Sequence, residues 1–309
     1  MSYDNKINIS EITENLRLIS TFYHDVSLNL ICLSYNNKVI LFDTSTSSII
    51  KNIIEDIGTP NYSIVTHSHP DHAGGSGVLS FQGSTIISTP LNKAFLFDKN
   101  VMLDSFFPKR FRNMFDKSYV DVTINEILTE CPYPHIDTVI KPSVNDLKLI
   151  NAPGHTSSSL FIRYKNILFT SDGIQGTGIV GTERTDSIPQ IWSIGDYLLT
   201  LHKIKNYTPD ILIPGHNFMP YKNNLLEGSD VDAFINASED YVYKLLDISM
   251  GILEEPLSLK EFVDKLLIKT GHTKGIYPQA FITAESILDF LKHRISIMHE
   301  GDIETFQIL

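Results

Sequence analysis

The chain is poor in cysteine and tryptophan: only Cys32, Cys131 and a single tryptophan occur in 309 residues. Two cysteines cannot staple a disulfide framework. Cys32 lies in the apolar run LNLICLSY and reads as a small buried hydrophobe. Long apolar stretches are missing too, since none approaches the ~20 residues that span a bilayer. The N-terminus lacks a basic start followed by an apolar segment, so no signal peptide is expected and the expected compartment is the cytoplasm. Positive charge is scarce: 25 Lys and Arg face 36 Asp and Glu, a formal net charge of −11. Such a body repels phosphates and speaks against nucleic acid as a partner. Internal repeats and low-complexity tracts are also absent. What remains, 42% hydrophobic and 20% charged residues, is a globular composition with enough chain for a large core.

Short β-branched or aliphatic runs at Leu16–Ile19, Leu28–Ser34 and Val39–Asp43 predict strands, with a turn at Asn36-Asn37. Ser45–Asp56 has helical spacing. Strands follow at Tyr62–Thr66 and Thr85–Thr89, and Pro90 is placed to open a helix. The segment from Asp98 to Asp137 is rich in Phe, Tyr and Pro and lacks clean periodicity, as expected of an inserted lid with short helices. Strands return in LKLIN, SLFIRY and ILFTS, then a helix over Ser193–Lys205 and a strand at Ile211–Ile213. Beyond Tyr221 the pattern is helical, over Val231–Ser249, Leu259–Thr270 and Ala280–His293. The composition shift near Glu227–Asp230 divides the chain into a catalytic unit, 1–227, and a helical C-terminal unit, 228–309. The predicted class is α/β with a small helical module.

Five of the 11 histidines stand in three turns that directly follow apolar strands: His67, His69 and His72 in HSHPDH, His155 in PGHTS, and His216 in IPGH. Asp71 lies inside the first turn, and Asp172 ends the strand ILFTSD. Imidazole and carboxylate are the ligands of zinc and other borderline divalent metals. His67 and His69 are two apart, so an extended backbone points both to one side. Seven donors exceed the need of one tetrahedral ion and suit two adjacent ions that share a carboxylate. His24, His135, His202, His272, His293 and His299 lack this context and read as ordinary residues. Ser157, Ser158 and Ser159 read as structural hydroxyls. Gly173, Gly176 and Gly178 lack dinucleotide spacing and read as a flexible loop at the site's edge.

THSHPDH, APGHTSSS, TSDG and IPGH, in this order, resemble the metallo-β-lactamase superfamily over about residues 16–221. The resemblance implies an αββα sandwich and a metal-dependent hydrolase. It places one ion on His67, His69 and His155, a second on Asp71, His72 and His216, and Asp172 as the bridge. Asp43, which closes the strand VILFD, matches the acid that supports the His-rich loop. The family continues that strand Asp-Thr-Gly, whereas this chain reads Asp43-Thr44-Ser45. Zinc is the expected metal, and iron or manganese suit the same donors. A hydroxide between two cations is a nucleophile at neutral pH, and Asp71 is positioned to orient it as the catalytic acid residue.

The aspartate bridge and the Gly-His-Thr loop are similar to the glyoxalase II branch of thioesterases. The tail resembles those of the β-lactamase-like protein 2 hydrolases and of the quinolone-signal thioesterases. The expected substrate is therefore a small ester, thioester or lactone. Phosphodiester or RNA cleavage at the same dinuclear site is the first alternative, and a redox or ligand-binding member of the fold the second. Oxygen-reducing relatives carry an acid where His69 stands. The lid aromatics Phe95, Phe97, Phe106, Phe107, Phe111, Phe115 and Tyr119 are expected to give an acyl group apolar surface. Lys109, Arg110 and Arg112 among them are candidates to meet a carboxylate or phosphate.

Overall fold

A computed structural model describes residues 6–131, 146–181, 186–272, 275–300 and 303–309. The first sheet has six strands in chain order: β1 (Asn8–Thr13), β2 (Leu16–Tyr23), β3 (Val26–Tyr35), β4 (Lys38–Phe42), β5 (Tyr62–Ile64) and β6 (Thr85–Ile87). β1 to β4 pair as antiparallel neighbours, and β4, β5 and β6 run parallel. The crossovers are helical, as parallel neighbours require. α1 (Ser47–Ile57) joins β4 to β5, and α2 (Pro70–Ala73) and α3 (Ser76–Phe81) join β5 to β6. α1 begins two residues later than the apolar spacing predicts. Thr46 caps it by accepting from the Ile49 N–H, and Ser45 before it takes a left-handed φ of 56°.

Four helices follow: α4 (Pro90–Phe97), α5 (Lys99–Phe106), α6 (Lys109–Arg112) and α7 (Lys117–Glu130). The last three form the inserted lid, of which residues 132–137 lie outside the described residues, His135 among them. The second sheet is built from β7 (Leu147–Asn151), β8 (Leu160–Tyr164) and β9 (Ile167–Ser171). After the small pair β10 (Ile179–Val180) and β11 (Asp186–Ser187) comes α8 (Ile194–Lys205). β12 (Ile211–Pro214) and β13 (Leu226–Glu227) complete the sheet in the order β13-β12-β9-β8-β7. β12 lies parallel to β9, and β7 runs in the same direction, being antiparallel to β8, which is antiparallel to β9.

Alternation along the strands decides which sheet face is buried where. Leu16, Leu18, Ile31, Leu33, Ile40, Phe42 and Ile64 face Leu160, Ile162, Phe169 and Ile213 of the second sheet. Their neighbours Cys32 and Leu41 turn the other way, onto Ile49, Ile50 and Ile53 of α1. Cys32 is thus the small buried hydrophobe that its context predicts. The result is two sheets face to face with helices outside, an αββα sandwich.

The C-terminal region holds the long helix α9 (Ser229–Ile252), β14 (Leu257–Ser258), α10 (Leu259–Thr270), α11 (Pro278–Phe290) and a hairpin of β15 (Ile295–Glu300) and β16 (Ile303–Ile308). It is helical with a small three-stranded sheet, β14-β16-β15. Its core continues that of the second sheet. Phe161, Leu168 and Leu212 of that sheet share one apolar cluster with Tyr197 of α8, Phe234 and Val242 of α9, and Phe281 of α11. Among the described residues no helix is long and apolar enough to cross a membrane.

Candidate metal centre

The strand directions bring the chemistry to one edge. β4 and β5 run parallel in the first sheet, as β7, β9 and β12 do in the second. Asp43, the His67–His72 segment, His155, Asp172 and His216 all follow the carboxyl ends of these strands. That is where open parallel sheets gather their functional loops. Backbone bonds tie the two edges together: Leu160 N–H donates to Thr66 O at 3.1 Å, and Asn29 N–H to Gly215 O at 2.8 Å.

Within HSHPDH, His69 has extended dihedrals and is the N-cap of α2, with Pro70 at the first helical position. The extended half aims His67 and His69 inward, and the first helical turn supplies Asp71 and His72. All seven predicted donors converge. His67, His69, His155 and Asp172 form one group and Asp71, His72 and His216 another, the donor atoms of each within 4.8 Å of one another. Asp172 stands between them. Its Oδ1 is 3.3 Å from His72 Nε2, and its Oδ2 is 3.4 Å from His216 Nε2 and 3.8 Å from His155 Nε2.

The ring nitrogens turned away from the centre are spoken for. His155 Nδ1–H donates to Gln190 O at 2.9 Å, His72 Nδ1–H to Asp43 Oδ2 at 2.8 Å, and His216 Nδ1–H to the Ser27 carbonyl. Each Nε2 is left facing inward. His155 Nε2 lies 3.0 Å from His69 Nδ1 and 3.3 Å from His67 Nε2. A tetrahedral ion with bonds of ~2.0–2.1 Å sets its donors about 3.3 Å apart. Asp172 Oδ1 is buried without a hydrogen-bond partner. Gly215 keeps this space open, because a Cβ there would sit 2.3 Å from Asp172 Oδ1. The residues therefore fit a divalent metal, and a cation satisfies what the protein leaves unpaired.

Electrostatics follow the same division. Burial, with repulsion from neighbouring histidines, pushes His67 and His69 well below the usual histidine range. Burial also lowers His155. These three offer free lone pairs. At His72 and His216 burial pulls the same way, but the Asp172 and Asp71 carboxylates outweigh it, lifting His72 well up and His216 to about 10. The same contacts overcome burial at the acids, holding Asp71 at about 2 and Asp172 well below the carboxylate range.

Asp43 lies beneath this shell, fully buried. It accepts from Thr66 N–H at 2.8 Å, from the Thr66 and Ser171 hydroxyls, each at 2.8 Å, and from His72. Sequence reasoning missed Asn29, Thr66, Ser171, Gln175 and Gln190. Asn29 Nδ2–H reaches Pro214 O at 3.1 Å, and the Gln175 side chain spans Asp172 O at 2.9 Å and Gln190 N–H at 2.9 Å. The Gly173–Gly178 loop is a correction: it is packed, not loose. Gln175 N–H donates to the Tyr197 hydroxyl and Gly176 N–H to Ser238 Oγ, both at 2.9 Å, and a Cβ at Gly176 would strike Met219 O.

Residues 26–216 match the Metallo-beta-lactamase superfamily. The chain belongs to that superfamily. A metallo-β-lactamase family protein from Thermus thermophilus has a similar structure, with a TM-score of 0.71 over 97% of this chain and 100% of the other, at 16% identity. A β-lactamase domain protein from Burkholderia ambifaria matches with a TM-score of 0.68, covering 98% and 94%, at 15% identity. In sequence, the β-lactamase-like protein 2 homologue of Caenorhabditis elegans is 24% identical over 223 residues, 69% of this chain. The match spans 60% of that relative's length. The superfamily fold accounts for the sandwich and for the placement of the His- and Asp-bearing loops at its edge.

A cavity of about 450 Å³ opens onto His69 and His155. Its walls combine apolar residues, Phe95 of α4, Val101 of α5, Pro108, Trp192 and Ile282 of α11, with polar ones that include Asn100, Asp104, Lys109 and Arg110 of the lid and Thr156, Ser157 and Gln190. The lid aromatics divide. Phe107 packs with Met102, Leu103 and Ile127 in the lid's own core, and Phe111 and Phe115 pack on Phe281 of α11. Phe97 and Tyr119 face solvent, while Phe106 meets the His69 ring at 5.0 Å. Less aromatic surface reaches the cavity than composition predicts, because the insert needs most of it to fold.

Proposed function

We propose that this protein is a metal-dependent hydrolase that acts on a small ester, thioester or lactone. Two divalent ions, with zinc the leading candidate, would be held by His67, His69 and His155 on one side and by Asp71, His72 and His216 on the other, Asp172 serving both. The observation that carries the reading is the convergence of five imidazoles and two carboxylates, with Asp172 Oδ1 left without a hydrogen-bond partner, beside a cavity that opens onto His69 and His155. Bound there, the metal supplies a hydroxide nucleophile at neutral pH and positive charge for the oxygen that becomes an oxyanion.

The chain's own residues do the rest. Asp71, 3.2 Å from His216 and 14% exposed at its side chain, has the carboxylate that reaches solvent from the metal loop. It is placed to accept the nucleophile's proton and hand it to the leaving group. Phe95, Val101, Trp192 and Ile282 exclude water from an acyl chain. Gln190 fixes the His155 tautomer through its carbonyl.

The test is metal analysis with a substrate panel on one metal-replete preparation: acyl esters, thioesters and lactones against single-stranded RNA and a simple phosphodiester. Near two ions per chain and turnover confined to the acyl compounds is the expected result. Turnover confined to the phosphodiesters, steeply suppressed by salt, would replace this reading with the phosphodiesterase one.

A further inference from the structure

A second cavity of about 440 Å³ lies beside the one over the metal centre. Arg110, Trp192 and Ile282 line both. His69 and His155 belong to the inner cavity alone, and Glu285, Asp289 and Phe290 to the outer alone. The boundary is spanned by one ion pair, from the lid to the tail. Arg110 Nε donates to both Glu285 oxygens, at 2.9 and 3.1 Å, and Nη2 donates to Oε2 at 2.5 Å.

Three features distinguish this pair from a structural bridge. It is exposed, with the Arg110 side chain 59% and that of Glu285 34% accessible. Exposed ion pairs add little to stability, so this one is cheap to open. The guanidinium has a second support, sitting 4.5 Å over the Phe111 ring, which holds it at the boundary whether or not Glu285 is bound. Lys109, next to it on the inner wall, makes no side-chain ion pair among the described residues. Arg112 by contrast is turned inward, donating to Phe107 O at 2.9 and 3.1 Å. Lys109 and Arg110 stand at the mouth of the cavity with one acid on the same wall, Asp104, whose Oδ1 accepts from the Lys109 N–H at 2.7 Å.

We infer that the physiological substrate carries a carboxylate at the end of its acyl chain remote from the scissile bond, and that this carboxylate takes the place of Glu285 on Arg110. This rests on the acyl-hydrolase reading and narrows it. Glu285 itself shows that a planar carboxylate fits the guanidinium fork at this point. A chain running from His69 and His155 along Val101 and Ile282 ends at Arg110, with Lys109 beside it. Arg110, Trp192 and Ile282 line both cavities, so a longer chain can continue past Trp192 into the outer one. Glu285 then acts as a selectivity residue, since a carboxylate chain end restores the forked contact that Glu285 gives up and a neutral chain end does not.

Trp192, the sole tryptophan, lines both cavities and reports occupancy by its fluorescence without catalysis. The probes are monomethyl adipate, with a carboxylate at one end, and dimethyl adipate, with none. Wild type should bind the monoester about ten-fold more tightly. Arg110→Gln should erase that preference, and Glu285→Gln should tighten the monoester while leaving the diester unchanged. Equal binding of the two probes, a preference that survives Arg110→Gln, or no response to the monoester would each overturn the inference. Hydrolysis of 4-nitrophenyl hexanoate against its ω-carboxylate analogue separates the two proposals. Turnover of both without discrimination sinks this one and leaves the hydrolase reading standing. Arg110-dependent binding of the monoester without turnover of any acyl substrate does the reverse.

Discussion

Asp43 is a buried carboxylate that never faces the centre, yet four donors meet on it and one of them is His72. It fixes which nitrogen of His72 is bare. Asp43→Asn keeps the shape but can turn only one acceptor oxygen to donors that now use two. Metal affinity should fall ~10–100-fold, the usual effect of losing such a support, and chelator competition measures it. Unchanged affinity would show that the ring is held by packing alone. Two positions on stands Ser45, fully buried, at φ 56° and with an Oγ that has no hydrogen-bond partner. Ser45→Gly removes the left-handed Cβ penalty and the stranded hydroxyl, partly offset by a floppier unfolded chain. It should raise stability by about 0.5–1 kcal/mol in urea unfolding. The seven candidate donors were legible in the sequence because they cluster in turns after strands. Asn29 and Gln190 were not. Each is one polar side chain whose role comes from a partner far along the chain, Asn29 from Pro214, 185 residues on.

At the scale of elements, periodicity placed the central strands and long helices but passed over β1 and the β15–β16 hairpin. β1 has burial pattern eieeie, so its residues give no apolar alternation to read. In the lid, α7 buries only Ile127 fully and its polar faces hide the helical period. What anchors α7 to the body includes an ion pair from the turn between β2 and β3, His24 Nε2 to Glu126 Oε1 at 2.7 Å. The Glu126 hydrogen bond raises His24 above its ordinary 6.5, against partial burial, and the His24 bond lowers Glu126 below its ordinary 4.5. A raised histidine stabilises fully below pH 6.5, and the gain is lost as pH rises through the folded value. A lowered glutamate stabilises above pH 4.5 and loses the gain as pH falls through its folded value. The pair is thus complete between about pH 4.5 and 6.5. Both groups are more than a third exposed, so the whole effect should stay under ~1 kcal/mol. The unfolding free energy of wild type minus that of His24→Gln should be largest in that window and shrink toward pH 9. A difference that is flat with pH would show that the pair does not contribute.

The molecule as a whole couples its tail to its chemistry through hydroxyls on α11. Thr283 Oγ1 donates to Pro189 O at 2.9 Å and accepts from Ile191 N–H at 3.0 Å, and Ser286 Oγ accepts from Ile194 N–H at 2.8 Å. Between these clamps run Gln190, which holds His155, and Trp192, which lines the cavity. Helical spacing and the composition shift near Glu227 name the tail's helices, but the shared apolar cluster is a long-range property no local pattern displays. Tail and second sheet should therefore unfold together. Thr283→Val leaves the Ile191 N–H and the Pro189 carbonyl buried without that partner, a loss of about 1–3 kcal/mol. It should lower the melting temperature of the entire protein and weaken substrate binding while leaving all seven metal donors in place. The check is a thermal melt followed by far-ultraviolet circular dichroism, which reports every helix, and by Trp192 fluorescence, which reports the junction. Coincident curves, shifted together by the substitution, are expected of one cooperative unit. A variant in which the fluorescence transition moves to lower temperature while the main dichroism transition stays put would show that the tail melts off a body that keeps its fold.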